Sequence, residues 1–123
     1  MSKVNTKVNL QDKLNKISKV WTPHIVGELN GQHVKLAKFK GEFPRHKHDD
    51  ADEMFLVISG SFLMEYDQKS EIISEGEFII VPKGVYHRPV SIKCAEVLLF
   101  EPIGTLNTGN IDSDMKIENP EKI

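Results

Sequence analysis

The stretch from residue 46 to residue 60 joins two histidines to an apolar run, and it reads His46-Lys47-His48-Asp49-Asp50-Ala51-Asp52-Glu53-Met54-Phe55-Leu56-Val57-Ile58-Ser59-Gly60. In an extended chain, residues two apart point to the same face, so His46 and His48 can present two imidazoles to one point. The acidic residues that follow suit a bend, which would let Glu53 add a carboxylate oxygen at the same point. This spacing predicts a metal site at the start of a β-strand.

A fourth candidate ligand, His87, ends the stretch Pro82-Lys83-Gly84-Val85-Tyr86-His87, where proline and glycine predict a turn. Two histidines separated by one residue also occur on exposed strands, and a glutamate at a strand start is usually solvated, so a solvated edge is the alternative interpretation. Three of the five histidines lie at glycine-framed turns beside predicted strands, whereas His24 and His33 lie elsewhere. This distribution favours the metal site.

Short apolar runs on both sides of this stretch predict further strands. Residues 24–29 and 32–40 flank Asn30-Gly31, a pair that strongly predicts a β-hairpin. Runs rich in Val, Ile and Phe predict strands over 53–59, 61–66, 70–74, 77–81 and 94–101. Strands at intervals of ~8 to 12 residues, with no long helix between them, predict an all-β fold, either an antiparallel sandwich or a small barrel.

The two ends of the chain have different patterns. Residues 9–19 predict a short amphipathic helix with Asn9 as N-cap and with Leu10, Leu14 and Ile17 on one face. We expect this apolar face to pack on its own domain; a partner-binding surface is the alternative. From residue 104 onward there is little apolar periodicity. The predicted organisation is therefore a helical segment (1–22), a single β-barrel domain (23–103) and a C-terminal loop and tail (104–123).

The composition is that of one ordinary globular domain, with 123 residues of which 39% are hydrophobic and 28% charged. A net charge of −2 gives no field that would hold nucleic acid or an anionic membrane, so we expect a small-molecule partner recognised by a local site. The single cysteine, Cys94, excludes an internal disulfide and a Cys-rich zinc site, and we expect it to be buried. The chain lacks an apolar run of the ~20 residues that a membrane-spanning helix needs, and it lacks the shorter apolar segment of a secretory signal. We therefore expect a cytoplasmic protein.

These residues resemble the two motifs of the cupin superfamily, G-x5-H-x-H-x3-4-E-x6-G and G-x5-P-x-G-x2-H-x3-N. Here they read Gly41-x4-His46-x-His48-x4-Glu53-x6-Gly60 and Gly76-x5-Pro82-x-Gly84-x2-His87. Two departures affect loop geometry and no ligand: Gly41 is one residue too close to His46, and Ser91 replaces the closing asparagine. The resemblance implies a jelly-roll (double-stranded β-helix) barrel, in which a divalent metal is held by His46, His48, Glu53 and His87.

Within the superfamily, the chain is similar to small single-domain cupins that are labelled as resembling mannose-6-phosphate isomerase. The compact spacing between the motifs (residues 61–75) and the closing stretch Glu101–Gly109 carry this similarity. The label reflects a shared fold and is not an activity. The family also implies a homodimer, and we expect the N-terminal segment to pack across its interface.

A metal with four protein ligands keeps two positions open if it is octahedral, so a substrate can bind to it. The ligand set accepts Zn, Mn, Fe, Ni, Co or Cu. We expect a metalloenzyme acting on a small oxygenated metabolite, as an isomerase, epimerase or lyase, or as a dioxygenase if iron is bound. The alternative is a module that binds a sugar or another small ligand without catalysis, or in which the metal only ties strands together.

Further side chains near the predicted site have two interpretations each. Arg45 and Arg88 adjoin ligands and can hold a substrate anion, but on a strand the neighbour of an inward residue faces solvent. Tyr66 and Tyr86 can supply a proton or a hydrogen bond, or can be packed aromatics. We expect the lumen to be lined by Phe55, Val57, Phe78 and Ile80, with a register uncertain by one residue.

Overall fold

The structure, a computed structural model, describes residues 4–123; residues 1–3 of the predicted N-terminal segment lie outside the described residues. The described chain contains one short helix and seven strands: α1 (Leu10–Leu14), β1 (His24–Leu29), β2 (Gln32–Glu42), β3 (Glu53–Ser59), β4 (Ser61–Glu65), β5 (Ser70–Ser74), β6 (Phe78–Val81) and β7 (Arg88–Pro102). All strand pairs are antiparallel, which confirms the all-β prediction. Within residues 4–123 we find no helix with the length and apolarity needed to cross a membrane.

The long strand β7 joins the two parts of the sheet. Its first residues pair with β4, where Val90 lies opposite Leu63, and its later residues pair with β3, where Phe100 lies opposite Met54. On its other side β7 pairs with β2 along most of its length, so the strand order is β1-β2-β7-β3-β6 with β4 and β5 attached to the start of β7. This arrangement curls the sheet into a barrel, in which the side chain of Glu53, at the start of β3, lies 3.8 Å from that of His87, directly before β7.

The first hairpin forms where it is predicted. Asn30 and Gly31 both have positive φ values, 49° and 74°, as the tight two-residue turn between antiparallel strands requires. Leu29 pairs with Gln32 directly across the turn. The predicted bounds of β1, β3 and β5 are also confirmed.

Inside the barrel lies an apolar core dominated by aromatic side chains. The ring of Trp21 stacks on Phe39 with the ring centroids 4.6 Å apart, and Phe39 meets Phe62 edge to face at 5.2 Å. Val57 and Phe55 are 1% and 3% exposed and face the lumen as predicted. Trp21, which precedes the first strand, therefore packs as part of the barrel core.

A second apolar cluster lies where α1 packs on the outside of the sheet. Leu14 and Ile17 are buried against Leu36, with Leu98 and Leu10 at the margin. The helix is shorter than predicted, because its backbone ends in a tighter turn in which the N–H of Ile17 donates to the carbonyl of Leu14. The apolar face packs on its own domain, as expected.

The start of β7 differs from the prediction: it begins at Arg88 rather than at residue 94. Pro89 lacks a backbone N–H, and proline is depleted in strands, so the sequence pattern does not favour a strand at this position. In the structure Pro89 lies opposite Met64 of β4, and its carbonyl accepts a hydrogen bond from the N–H of Phe43. A proline is therefore accommodated within the strand through its carbonyl.

Two predictions about side-chain direction are wrong by one residue. Phe78 and Ile80 are 60% and 53% exposed on the outside of the barrel, whereas Val81, 2% exposed, faces inward. Cys94 is exposed, whereas its neighbour Ala95 is fully buried. Because side chains alternate along a strand, a shift of one residue exchanges the two faces.

Residues 104–123 contain turns and no named helix or strand, and this loop packs closely against the barrel. The backbone of Ile25 accepts a hydrogen bond from the N–H of Ile123 (3.0 Å) and donates one to the carbonyl of Glu121 (2.8 Å). Met115 packs against the aromatic core. The segment from 104 onward is thus part of the folded domain.

Candidate metal centre

The four predicted ligands come together at one end of the barrel. His46 and His48 lie on the segment between β2 and β3, Glu53 is the first residue of β3, and His87 directly precedes β7. His46 and His87 exchange two backbone hydrogen bonds, of 3.0 and 2.8 Å, and the N–H of Gly84 donates to the carbonyl of His48 at 2.7 Å. The backbones of the two motifs are therefore fastened directly to each other.

The side chains of these four residues converge on one point. One potential ligand atom from each of His46, His48, Glu53 and His87 lies within 4.8 Å of all the others. Glu53 Oε1 is 3.2 Å from His48 Nε2 and 3.8 Å from His87 Nε2, and all four residues are buried. Bonds of about 2.1 Å to one ion place neighbouring donor atoms roughly 3.0–3.4 Å apart, so the spacing fits a metal with small adjustments.

Hydrogen bonds fix the orientation of two imidazoles. Nδ1 of His46 lies 2.8 Å from the carbonyl of Pro44, and Nδ1 of His87 lies 2.9 Å from the carbonyl of Val85. If Nδ1 donates, each Nε2 presents a lone pair toward Glu53, as metal-binding histidines do. Within the described chain, Nε2 of His48 and Nε2 of His87 are buried and lack a well-aligned hydrogen bond. Such groups cost about 1–3 kcal/mol each when left unpaired, and a metal ion would satisfy both.

The electrostatics of the cluster suit a cation. Burial, and then the neighbouring His87, lower the pKa of His46 to about 4, so His46 is neutral at pH 7. Burial by itself would raise the pKa of Glu53, but polar contacts with Glu101, His48 and His87 outweigh it and hold that pKa well below its ordinary value. Neutral imidazoles and an ionised carboxylate are the protonation states that bind metals.

Two buried residues beside the cluster, Lys35 and Glu101, are missing from the predicted site. Lys35 Nζ lies 2.7 Å from Glu101 Oε1, and each residue is 2% exposed. The Glu101 carboxyl contacts Glu53, and burial together with this contact raises the pKa of Glu101 well above its ordinary value. A signal existed in the sequence: Lys35 is in phase with the inward-facing Ala37, and Glu101 with Leu99.

A cavity of about 40 Å³ adjoins the cluster. His46, Glu53, Glu101 and Asn107 contribute its polar wall, and the aromatic core contributes its apolar wall. Trp21 covers one side; it adopts a left-handed φ of 57° and is held there by hydrogen bonds from its N–H to the carbonyl of Lys38 (2.8 Å) and from Nε1 to the carbonyl of Lys40 (2.7 Å). The strained backbone at Trp21 thus places an aromatic ring beside the candidate metal centre.

The arginines next to the ligands face away from the cavity. Arg45 forms a two-pronged ion pair with Asp67, at 2.7 and 2.9 Å, and its guanidinium lies 4.0 Å from the ring centre of Tyr86. Arg88 Nε donates to Glu65 at 2.7 Å. Tyr66 packs at the margin of the aromatic core. The outward-facing interpretation of the two arginines is therefore the one that the structure supports.

The chain is similar in sequence and in fold to known proteins. The profile of the Cupin_2 family, a cupin domain, matches residues 32–100. The chain belongs to the cupin family. This cupin is 33% identical over 81 residues to the uncharacterized protein YdbB of Bacillus subtilis strain 168, an alignment that covers 65% of this chain and 72% of YdbB.

Two solved structures are similar over most of the cupin. A cupin-2 domain containing protein from Shewanella frigidimarina is 33% identical with a TM-score of 0.76, covering 77% of this chain and 93% of its own. Protein NMB1881 from Neisseria meningitidis is 31% identical with a TM-score of 0.73, covering 79% and 99%. These comparisons confirm the small single-domain cupin and its β-barrel fold.

Proposed function

We propose that this cupin binds one divalent transition-metal ion through His46, His48, Glu53 and His87 and acts on a small oxygenated metabolite. One observation carries the proposal: a buried cluster of three imidazoles and one carboxylate in which two ring nitrogens have no well-aligned partner within the described residues. The donor set accepts Zn, Mn, Fe, Ni, Co or Cu.

The ion, when bound, would act as a Lewis acid that polarises a hydroxyl or carbonyl oxygen, which suits isomerase, epimerase or lyase chemistry, or dioxygenase chemistry with iron. The chain itself contributes the surroundings. The aromatic wall restricts water, and Lys35 holds Glu101 at the cavity through their 2.7 Å contact. Glu101 is the one titratable cavity-lining side chain, among the described residues, that is outside the ligand set.

The cavity also favours one class of substrate. Among the described residues that line it, none is a lysine or an arginine, and the ammonium group of nearby Lys35 is engaged by Glu101 at 2.7 Å. Arg45 and Arg88 are engaged outside by Asp67 and Glu65. A phosphate group would lack the cationic partner that it usually requires. We therefore infer a small substrate with an oxygen donor for the metal and a largely apolar frame, rather than a phosphosugar.

A second candidate function is the binding of a small ligand, such as a sugar, without turnover. The small cavity, about 40 Å³, favours a ligand of a few atoms over a whole sugar, because this volume admits few atoms beyond those that contact the metal. The polar wall of the same cavity also suits water held at the metal, in a site that serves to tie β3 to the start of β7. The two candidate functions differ in whether a bound compound changes chemically.

The experiment that separates them uses the protein loaded with Zn, Mn or Fe(II) and a panel of small hydroxy, keto and carboxylate compounds. Calorimetry measures binding, and NMR of the same samples detects products. The enzyme proposal expects a product that is absent with His48→Ala and retained with His24→Ala, whose histidine lies outside the cluster. Turnover that survives removal of the metal would contradict it, whereas binding without product favours the second candidate.

We further propose a homodimer and a cytoplasmic location. Phe78 and Ile80 support the dimer, because they are exposed opposite Leu56 and Met54 on an apolar outer face of the sheet, and such faces are often covered by a second copy. Light scattering should give twice the 14.0 kDa of one chain, and a monomer at micromolar concentration would refute the dimer. The single cysteine suits a reducing compartment, and cell fractionation checks the location.

A further inference from the structure

We propose that residues 107–110, here named the C-terminal clamp, are a positioning element that holds His46 and His48 in the geometry for metal binding. The inference rests on the proposed metal site. It assigns a role to a segment that the sequence pattern marks only as loop, and it identifies Gly109 and Asn110 as the residues that make the contact.

The first contact is a reciprocal pair of hydrogen bonds to Lys47, the residue between the two histidines. The N–H of Lys47 donates to Asn110 Oδ1 at 2.9 Å, and the N–H of Asn110 donates to the carbonyl of Lys47 at 3.0 Å. Both polar groups of the Lys47 backbone are thus held by one residue. These two hydrogen bonds restrain the orientation of both peptide groups of Lys47, and so of the backbone between His46 and His48.

The second contact is the close approach of Gly109. A Cβ at this position would lie 2.2 Å from the carbonyl oxygen of Lys47 and 2.9 Å from Cδ2 of the His46 ring. The backbone φ of Gly109 is also +57°, which disfavours other residues. Only glycine lets the clamp lie directly against the imidazole of His46. The backbone of His46 is in turn hydrogen-bonded to that of His87.

The clamp is itself anchored to the rest of the domain. Asn107 Nδ2 donates to the carbonyl of Met115 at 2.9 Å, and Asn107 Oδ1 accepts from the N–H of Ile117 at 2.8 Å. Thr108 is fully buried, and the N–H of Gly109 donates to the carbonyl of Leu106 at 3.0 Å. A turn built in this way can resist movement of the segment that it contacts.

The expected consequence is on metal affinity, because contacts that orient ligands typically change affinity by about 10- to 100-fold when they are lost. Gly104 offers a matched control in the same loop. Its φ is also positive, +91°, but a Cβ there would meet no described atom within 4 Å. Alanine meets a positive-φ penalty at both positions, and the penalty is no smaller at Gly104, whose φ lies further from the left-handed region that L residues adopt, so only Gly109→Ala adds a clash with His46 and Lys47.

The test measures the affinity of the full-length protein for Co²⁺ by competition with a chelator, together with the visible absorption spectrum of the bound Co²⁺. We expect Gly109→Ala to weaken binding by about tenfold or more and to shift the spectrum, and Gly104→Ala to stay within about twofold of wild type. Asn110→Ala tests the clamp if Gly109→Ala fails to fold, and Asn110→Asp, which keeps the oxygen acceptor for Lys47, should restore most of the affinity.

Unchanged Co²⁺ affinity and an unchanged spectrum in Asn110→Ala or in folded Gly109→Ala would overturn the clamp while leaving the metal site in place. The same holds if Gly104→Ala weakens binding as much as Gly109→Ala. If the wild type binds none of Co²⁺, Zn²⁺, Mn²⁺, Ni²⁺, Cu²⁺ and Fe²⁺, the proposed function itself is overturned, and the clamp with it. Thermal unfolding of the metal-free variants shows whether the effect is on the site or on the whole fold.

Discussion

Two buried polar groups lie side by side in this barrel and differ in one respect, the balance of their charges. In the first group Lys35 Nζ lies 2.7 Å from Glu101 Oε1, so a lysine faces a carboxyl group whose pKa burial and Glu53 raise well above its ordinary value. The neighbouring cluster of His46, His48, Glu53 and His87 contains one carboxylate, and within the described residues two of its ring nitrogens lack a well-aligned hydrogen bond. The first group contains its own cation, although Glu101 Oε2 also lacks a hydrogen bond within the described residues, and we propose that a bound cation completes the second group.

If the cluster binds a metal as proposed, the two groups contribute separately to stability and to binding. Breaking a buried ion pair strongly destabilises the fold, because removal of one partner leaves an uncompensated buried charge. A cluster that lacks a cation leaves its buried polar atoms unpaired, which destabilises the folded protein. A cation that binds there removes this penalty, and the free energy recovered strengthens the binding. Substitutions in the two groups should therefore affect different measurements.

The largest effect is expected from breaking the matched pair. At a pH alkaline enough to ionise Glu101, whose pKa is raised, Lys35→Met leaves that carboxylate buried without its cation and should lower the free energy of unfolding by about 3–5 kcal/mol, measured by urea denaturation of the metal-free protein. The control is Lys69→Met, which removes an exposed lysine 3.6 Å from Glu71 and should change stability by at most about 1 kcal/mol. Equal effects of the two substitutions would show that the buried pair has no special role.

The second effect is metal-dependent stabilisation. A metal ion at 100 times its Kd should raise the free energy of unfolding of the wild type by about 2.7 kcal/mol, because it binds the folded state. His87→Ala should abolish this increment, since it removes one ligand, and His24→Ala should retain it. A wild type whose thermal unfolding is insensitive to every added divalent metal would argue that the cluster is a purely structural polar network.

The smallest effect is expected at the surface beside the ligands. Arg45→Ala removes an ion pair between Arg45 and Asp67 whose side chains are 53% and 59% exposed, so stability should change by at most about 1 kcal/mol. Metal affinity should stay within about twofold of wild type, because Arg45 faces away from the cavity. A large loss of metal affinity would instead place the guanidinium in the binding machinery.

The ligand cluster was predictable from sequence because its signal is local. His46, His48 and Glu53 lie in one short stretch, and the turn that ends at His87 is marked by proline and glycine. The hairpin at Asn30-Gly31 and most strand bounds were predictable for the same reason. The structure brings these local features together through the two backbone hydrogen bonds between His46 and His87.

The features that were missed depend on contacts between distant residues. Residues 78–81 are all apolar, so nothing in their pattern reveals which face is inward, and the pairing with β3 decides it. Lys35 and Glu101 are far apart in the chain and are joined only by the pairing of β2 with β7. The C-terminal clamp lacks any apolar periodicity, because its contacts with Lys47 are made by the backbone and one amide side chain.

The metal content of the protein tests the central claim most directly. Protein purified without an affinity tag is made metal-free, dialysed against each candidate divalent metal, washed and analysed for bound ions. We predict one ion per chain for the wild type with at least one of these metals, and loss of that ion in His48→Ala. A wild type that retains no ion, or a His48→Ala variant that retains as much as the wild type, would contradict a metal centre at these four residues.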